Sequence, residues 1–188
     1  MLVIAADFDT VLEEARAGNE SAIAALYRRF HPKLLRYLRA QEPAEGEDLA
    51  AETWIDAARC LHRFKGDERA YQRWIFTIAR RRLIDFRRRR RRSAQAHAAW
   101  HNGSEPRARE DAGDPVLAAS ETDAALVRIA SLPPDQAEVV LLRVVAGLDS
   151  ADVAKILGKR PGTVRVLQHR ALRRLAEQFA REGEAVTR

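Results

Sequence analysis

The chain holds a single cysteine, Cys60, in 188 residues. One thiol excludes an internal disulfide, and such sparing use of cysteine suits a reducing compartment. No apolar run approaches the roughly 20 residues that a membrane-spanning helix needs. The opening run Met1–Ala6 has no basic flank and is too short for a secretion signal, so a cytoplasmic protein is expected. Strong alternation of β-branched and aromatic residues is also missing, which speaks against any sheet. Equally absent are a glycine loop that could cradle phosphate, a supported set of metal ligands, and a nucleophile beside a credible base. His97 and His101 have a spacing that could chelate a metal on a helix, but they sit in a stretch of linker composition. The expectation is a protein that is not an enzyme and needs no cofactor or metal.

What is present favours helix. Alanine, leucine, arginine and glutamate dominate, and all four are good helix formers. A hydrophobic fraction of 46% is normal for a folded chain. The net charge of +6 is unevenly spread. Residues 1–60 carry −4, residues 61–100 carry +10, residues 101–132 carry −3 and residues 133–188 carry +3. Such polarity predicts a polyanion on one face and a different partner on another.

Periodicity predicts an all-α chain of two small helical domains. A short helix over 8–17 ends at Gly18, and Asn19 or Ser21 can cap the next. That second helix carries Ile23, Leu26, Tyr27, Phe30, Leu34, Leu35 and Leu38 as a buried stripe, and Pro32 should kink or split it. A third helix spans 46–64 and a long fourth 68–92. Residues 93–121, rich in Gly, Pro, Asn and mixed charge, read as a flexible linker, in which Trp100 is unusual. Helices then follow over 123–131, from Pro134 to Gly147, over 150–157 and over 161–179. The boundaries are therefore 1–92, 93–121 and 122–188.

The segment DSADVAKILGKRPGTVRVLQHRALRRL fits a helix-turn-helix. Ala154 is small where two helices cross, and Gly158 supplies a left-handed turn. Val153, Leu157, Val164 and Leu167 fall between the helices. Arg160, Thr163, Arg165, Val166, His169, Arg170 and Arg173 fall outside, with the chemistry of a major-groove reader. A solvated hairpin would share the basic face but has no need of the turn glycine and small alanine together.

A second basic element is AYQRWIFTIARRRLIDFRRRRRR. An arginine run alone suits a nonspecific nucleic-acid patch or a localisation tag. Here it continues an amphipathic helix whose outer face is predicted to show Arg73, Phe76, Thr77, Arg80 and Arg87, beside a loop with Lys65. Charge mixed with an exposed ring suits unstacked, single-stranded DNA. Glu45, Asp48, Glu52 and Asp56 form an acidic stripe, which fits either solvated surface or a basic protein partner.

Taken in order, GNESAIAALYRRFHPKLLRYLR, EDLAAETWIDAARCLHRF, RWIFTIARRRLIDFRRR and LPPDQAEVVLLRVVAGL with the helix-turn-helix resemble the bacterial extracytoplasmic-function sigma factors. The resemblance covers about 10–92 and 122–178. It implies an N-terminal domain (region 2) that docks on core RNA polymerase and captures the melted −10 element. It also implies a C-terminal domain (region 4) that reads the −35 element as duplex. By position, Asp48, Leu49, Glu52, Trp54 and Asp56 then belong to the polymerase contact. Lys65, Arg73, Phe76, Thr77, Arg80, Arg81, Arg87 and Arg88 belong to the −10 reader and its backbone grip, and Arg160 to Arg173 to the −35 reader. Core polymerase, promoter DNA and an anti-sigma factor are the implied partners, with a monomer when free. The chain departs from the family's common pattern at Arg81, Val166, Leu167 and Gln168. A dimeric helix-turn-helix regulator independent of polymerase is the alternative, but its sensor domain would not need the arginine helix.

Overall fold

A computed structural model describes residues 7–100 and 121–186, and these form helices joined by turns. The first unit is built from α1 (Phe8–Arg16), α2 (Glu20–Arg39), α3 (Gly46–Cys60), a 3₁₀ turn at Leu61–Arg63 and α4 (Glu68–Trp100). Asn19 caps α2, its side-chain oxygen accepting from the Ser21 and Ala22 amides at 2.9 and 3.3 Å. The buried line of α2 is Ala22, Leu26, Phe30, Leu34, Tyr37 and Leu38. Ile23 and Tyr27, expected inside, lie on its outward edge at 44% and 41% exposure. The 3.6-residue repeat places them one position off the packed stripe. Pro32 does not divide α2, which runs unbroken through it. The neighbours packed on α2 hold it together where one backbone hydrogen bond is lost.

Helix α4 answers α2 with Tyr71, Ile75, Phe76, Ala79 and Leu83, all essentially buried. Phe8, Phe30, Phe64, Tyr71 and Trp74 form a chain of ring contacts at one end of this core. Burying each such side chain is worth about 1.5–3 kcal/mol, which is what fixes α4 against α2 and α3. The helix does not stop at Arg92. It continues to Trp100, into the stretch read as linker. The rest of that stretch, 101–120, lies outside the described residues.

The second unit comprises α5 (Glu121–Ala130), α6 (Pro134–Val140), a π-turn at Leu141–Val145, α7 (Ser150–Leu157) and α8 (Pro161–Val186). Pro134 opens α6, where its missing N–H is harmless. Gly158 has φ +63°, the left-handed conformation that the turn requires, and Lys159 N–H closes it on Ala154 O at 3.0 Å. Val153, Leu157 and Val164 are buried between α7 and α8, and Leu167 is partly so. The two units share one continuous core, with α4 packed on α7 and α2 on the π-turn. Among the described residues, no helix is long and apolar enough to cross a membrane.

Candidate nucleic-acid interface

Helix α8 presents the clearest candidate surface. Val164 and Ala171 are fully buried and Leu167 packs inward, so the rotation of the helix is set. Arg160, Thr163, Arg165, Val166, His169, Arg170 and Arg173 are all exposed as a result. Arg143 adds a lock. Its Nε donates to Gln168 Oε1 at 3.1 Å and its Nη1 to Leu148 O at 2.5 Å. Gln168 therefore serves the packing side of α8 and not its exposed side. Arg173 is drawn only to Glu177 one turn on, at 3.2 Å and in solvent.

Helix α4 divides its charge differently. Lys65, Thr77, Arg81 and Arg88 are exposed, and the Thr77 hydroxyl donates to Arg73 O at 2.8 Å. Arg87 Nε and Arg90 Nη1 grip opposite oxygens of Glu42 at 2.6 and 2.8 Å. Glu42, with only 7% of its side chain exposed, anchors the end of α2 to α4. Arg73 and Arg80 turn to the second unit, toward Asp152 and Glu138. Phe76 corrects the sequence reading: it is buried, edge-on to Tyr37 at 5.4 Å between ring centroids, and not exposed. The wheel placed it on the correct face of α4, but tertiary packing covers that face.

On α3, Asp48 is exposed, whereas Leu49 is core at 2% exposure and supports the surface only from beneath. The acidic stripe is partly neutralised within the chain. Arg82 reaches Glu52 at 3.5 Å and donates through Nε to Asp56 at 2.5 Å. The hydrogen bond to Asp56 raises the Arg82 pKa above its ordinary value. Arg89 approaches Glu52 at 3.8 Å. Beside the stripe, Trp54 donates its indole N–H to His31 Nδ1 at 3.2 Å, and Tyr27 stacks on His31 with centroids 4.3 Å apart. Burial first, and the Arg39 charge second, lower the His31 pKa, consistent with a neutral acceptor ring. Ile55 on α3 and Ile23 and Tyr27 on α2 are also exposed.

Sequence patterns did not show Glu42, Glu138, Asp149 and Asp152, four of the carboxylates that receive the arginines of α4. Asp149 did carry one signal, since it stands where a helix cap is expected; its side chain accepts the Asp152 amide at 2.8 Å. Burial acts against the charged form of Asp152, but the hydrogen bonds and charges of Arg69 and Arg73 outweigh it. The carboxyl is held below the usual aspartate range. Among the described residues, no group of three or more His, Cys, Asp or Glu side chains is placed to hold a metal ion.

Comparison with known proteins identifies both units. The family model for sigma-70 region 2 matches residues 26–93, and that for sigma-70 region 4 matches residues 122–175. The ECF RNA polymerase sigma factor ShbA of Streptomyces griseus is 33% identical over 88% of this chain and 91% of its own length. BldN of Streptomyces coelicolor, also an ECF RNA polymerase sigma factor, is 34% identical over 92% of this chain and 67% of its own. RpoE of Cereibacter sphaeroides is 31% identical over 86% and 88%. Among solved structures, RpoE in complex with the anti-sigma factor NepR from Bartonella quintana shares the fold with a TM-score of 0.65 and 24% identity. That match covers 84% of this chain and 96% of that one. CnrH in complex with the cytosolic domain of CnrY gives 0.63 at 19% identity, over 91% and 96%. The chain belongs to the ECF RNA polymerase sigma factors, and it is a two-unit sigma-70 family protein that directs transcription initiation.

Proposed function

We propose that the chain divides promoter recognition between α8 and α4. Helix α8 reads the duplex −35 element through Arg160, Thr163, Arg165, Val166, His169, Arg170 and Arg173. The observation that carries this is their common exposure on the second helix of a helix-turn-helix whose other side is locked. Arginine donors suit guanine edges and phosphates, and Val166 suits a thymine methyl.

Helix α4 handles the −10 element. Lys65, Thr77, Arg81 and Arg88 are exposed for it, while Arg73, Phe76, Arg80 and Arg87 become available as their internal contacts are exchanged. Unstacked bases need a ring and a cationic track, and this face has both. Core RNA polymerase docks on the α2–α3 side, which carries Asp48, Glu52 and Asp56, the Tyr27–Trp54 ring contact and exposed Ile55, with Leu49 supporting it from inside. The resemblance adds an anti-sigma factor to the partner set.

The chain acts in the cytoplasm as a monomer when free, binds no cofactor or metal and catalyses no reaction. Residues 1–92 and 122–188 are its two functional domains, with 93–121 as connection. Strand separation costs several kcal/mol, and the energy must come from contacts made in the larger assembly. Run-off transcription with purified core polymerase, paired with permanganate footprinting, tests this. Promoter-specific transcripts and strand opening should need both components. Tight, specific binding of a palindrome by a dimer of the isolated protein would overturn it.

A further inference from the structure

Reading base edges from α8 requires that the roll of the helix about its own axis be fixed. A helix with its side chains has a radius of about 5–6 Å, so a roll of about 10° moves a side-chain tip by about 1 Å. Hydrogen bonds to base edges lose their alignment over such a shift. The buried contacts Val164 and Ala171 decide which side of α8 faces inward. Both side chains are small, and Ala171 opposes rolling with a single methyl group.

A polar contact at the margin of the packed side supplies a further constraint. The π-turn at Leu141–Val145 is closed by the Ala146 N–H donating to Leu141 O at 3.0 Å. Turns of this width insert a residue into a helix and are frequent at functional sites. Arg143 stands on this turn and reaches in two directions. Its Nε donates to Gln168 Oε1 at 3.1 Å, and its Nη1 donates to Leu148 O at 2.5 Å. One planar guanidinium thus ties together the π-turn, the approach to α7 and the middle of α8. Gln168 is partly buried, next to exposed His169 and one turn beyond exposed Arg165. Two other contacts hold the ends of the helix: Lys159 Nζ to Asp135 Oδ2 at 3.0 Å, and Gln178 Nε2 to Ser131 Oγ at 3.2 Å. Both of these lie in solvent, which competes for them, whereas the Arg143 contacts are partly buried.

We propose that Arg143 is a positioning residue for the −35 reader: through Gln168 it sets the roll of α8, and with it the base preference of Arg165, Val166, His169 and Arg170. This rests on the assignment of α8 to the −35 element. Arg143 and Gln168 themselves read no base; they fix the angle at which their neighbours do. Lysine cannot stand in for Arg143, because one ammonium on a flexible stem does not hold two acceptors in a fixed plane. Glutamate can stand in for Gln168, since it keeps an acceptor oxygen at the same reach.

The experiment uses the full chain assembled with core RNA polymerase, competing among promoters mutated across the upstream element. Gln168→Leu should reduce discrimination between preferred and mutated promoters by roughly threefold to tenfold, the range of a coupled pair. Gln168→Glu should keep the parent's preference; that preference is a ratio, so uniform repulsion of phosphates by the added carboxylate cancels. Arg143→Lys should match Gln168→Leu, and the double variant should lose no more than either alone, because all three break one contact. Losses that multiply in the double variant would mean independent roles and overturn the proposal. So would a uniform loss in Arg143→Lys with Gln168→Leu behaving like the parent, which would make Arg143 a phosphate contact. Thermal melts accompany each variant. Should Arg143→Lys fail to fold, the Gln168→Leu and Gln168→Glu pair decides, since both leave the Arg143 bond to Leu148 in place; equal preference in that pair overturns the proposal. Failure of the −35 assignment looks different: Arg165→Ala and Arg170→Ala would then leave the preference unchanged in the same competition.

Discussion

Helices α4 and α8 both carry dense arginine, but they use it on different terms. On α4, Arg69, Arg73, Arg80, Arg82, Arg87, Arg89 and Arg90 each reach a carboxylate elsewhere in the chain. On α8, among the described residues, only Arg173 is ion-paired, and its partner is on the same helix. The charges of α4 thus hold the molecule together as well as meeting a ligand, whereas those of α8 have little to hold. Exposed pairs contribute about 0–1 kcal/mol each and are screened by salt.

The sharpest break in this comparison is one apolar side chain from each face. Phe76→Ala removes a fully buried ring and should cost about 3–5 kcal/mol of stability. Val166→Ala, on the open face, should stay within about 0.5 kcal/mol of the parent. Urea denaturation monitored by circular dichroism compares them. Similar losses would mean that the two faces are not packed as described.

Neighbouring arginines on α4 offer a finer test. Arg87→Ala leaves the buried Glu42 carboxylate with Arg90 alone and should destabilise the fold by roughly 1–3 kcal/mol. Arg88→Ala, exposed, should leave the melting curve in place. It should instead weaken promoter engagement evenly across sequences and reduce the salt slope by about one.

On α8 the effect should appear in preference. Arg165→Ala or Arg170→Ala should cost roughly 1–3 kcal/mol at particular upstream bases, measured by competition among mutated promoters in the presence of core polymerase. A loss uniform over all sequences would reassign these side chains to the backbone.

The smallest effects are those of pH. Asp152 is held below its ordinary range, so its contribution is complete above about pH 4 and declines as pH falls through the lower native value. Facing it are Arg69, Arg73 and Lys155, which keep their charge there, so acid should loosen the join between the units. Small-angle scattering should record expansion on that side only. His31 is also shifted downward. Its contribution is present above about pH 6.5 and fades as pH falls through the native value, when the protonated ring can no longer accept the Trp54 N–H. Trp54 fluorescence should follow that change, and His31→Phe should flatten it.

Local patterns alone determined most of the architecture. Asn19 as a cap, Pro134 at a helix start, Gly158 in the left-handed turn and the inward set Val153, Leu157 and Val164 each depend on neighbours within a few residues. The open face of α8 was legible for the same reason, since a helical wheel with one apolar side has only one way to pack. Tertiary structure decided the rest. Whether Phe76 meets solvent, whether Leu49 supports or forms a surface, and which arginines of α4 remain open all depend on elements distant in the chain. A wheel reports the direction of a side chain but not what stands opposite it. Glu42, Glu138, Asp149 and Asp152 lie 45 to 83 residues from the arginines they meet. No periodicity spans that separation: folding of the first unit brings Glu42 to α4, and packing of the second unit on α4 brings Glu138, Asp149 and Asp152 there.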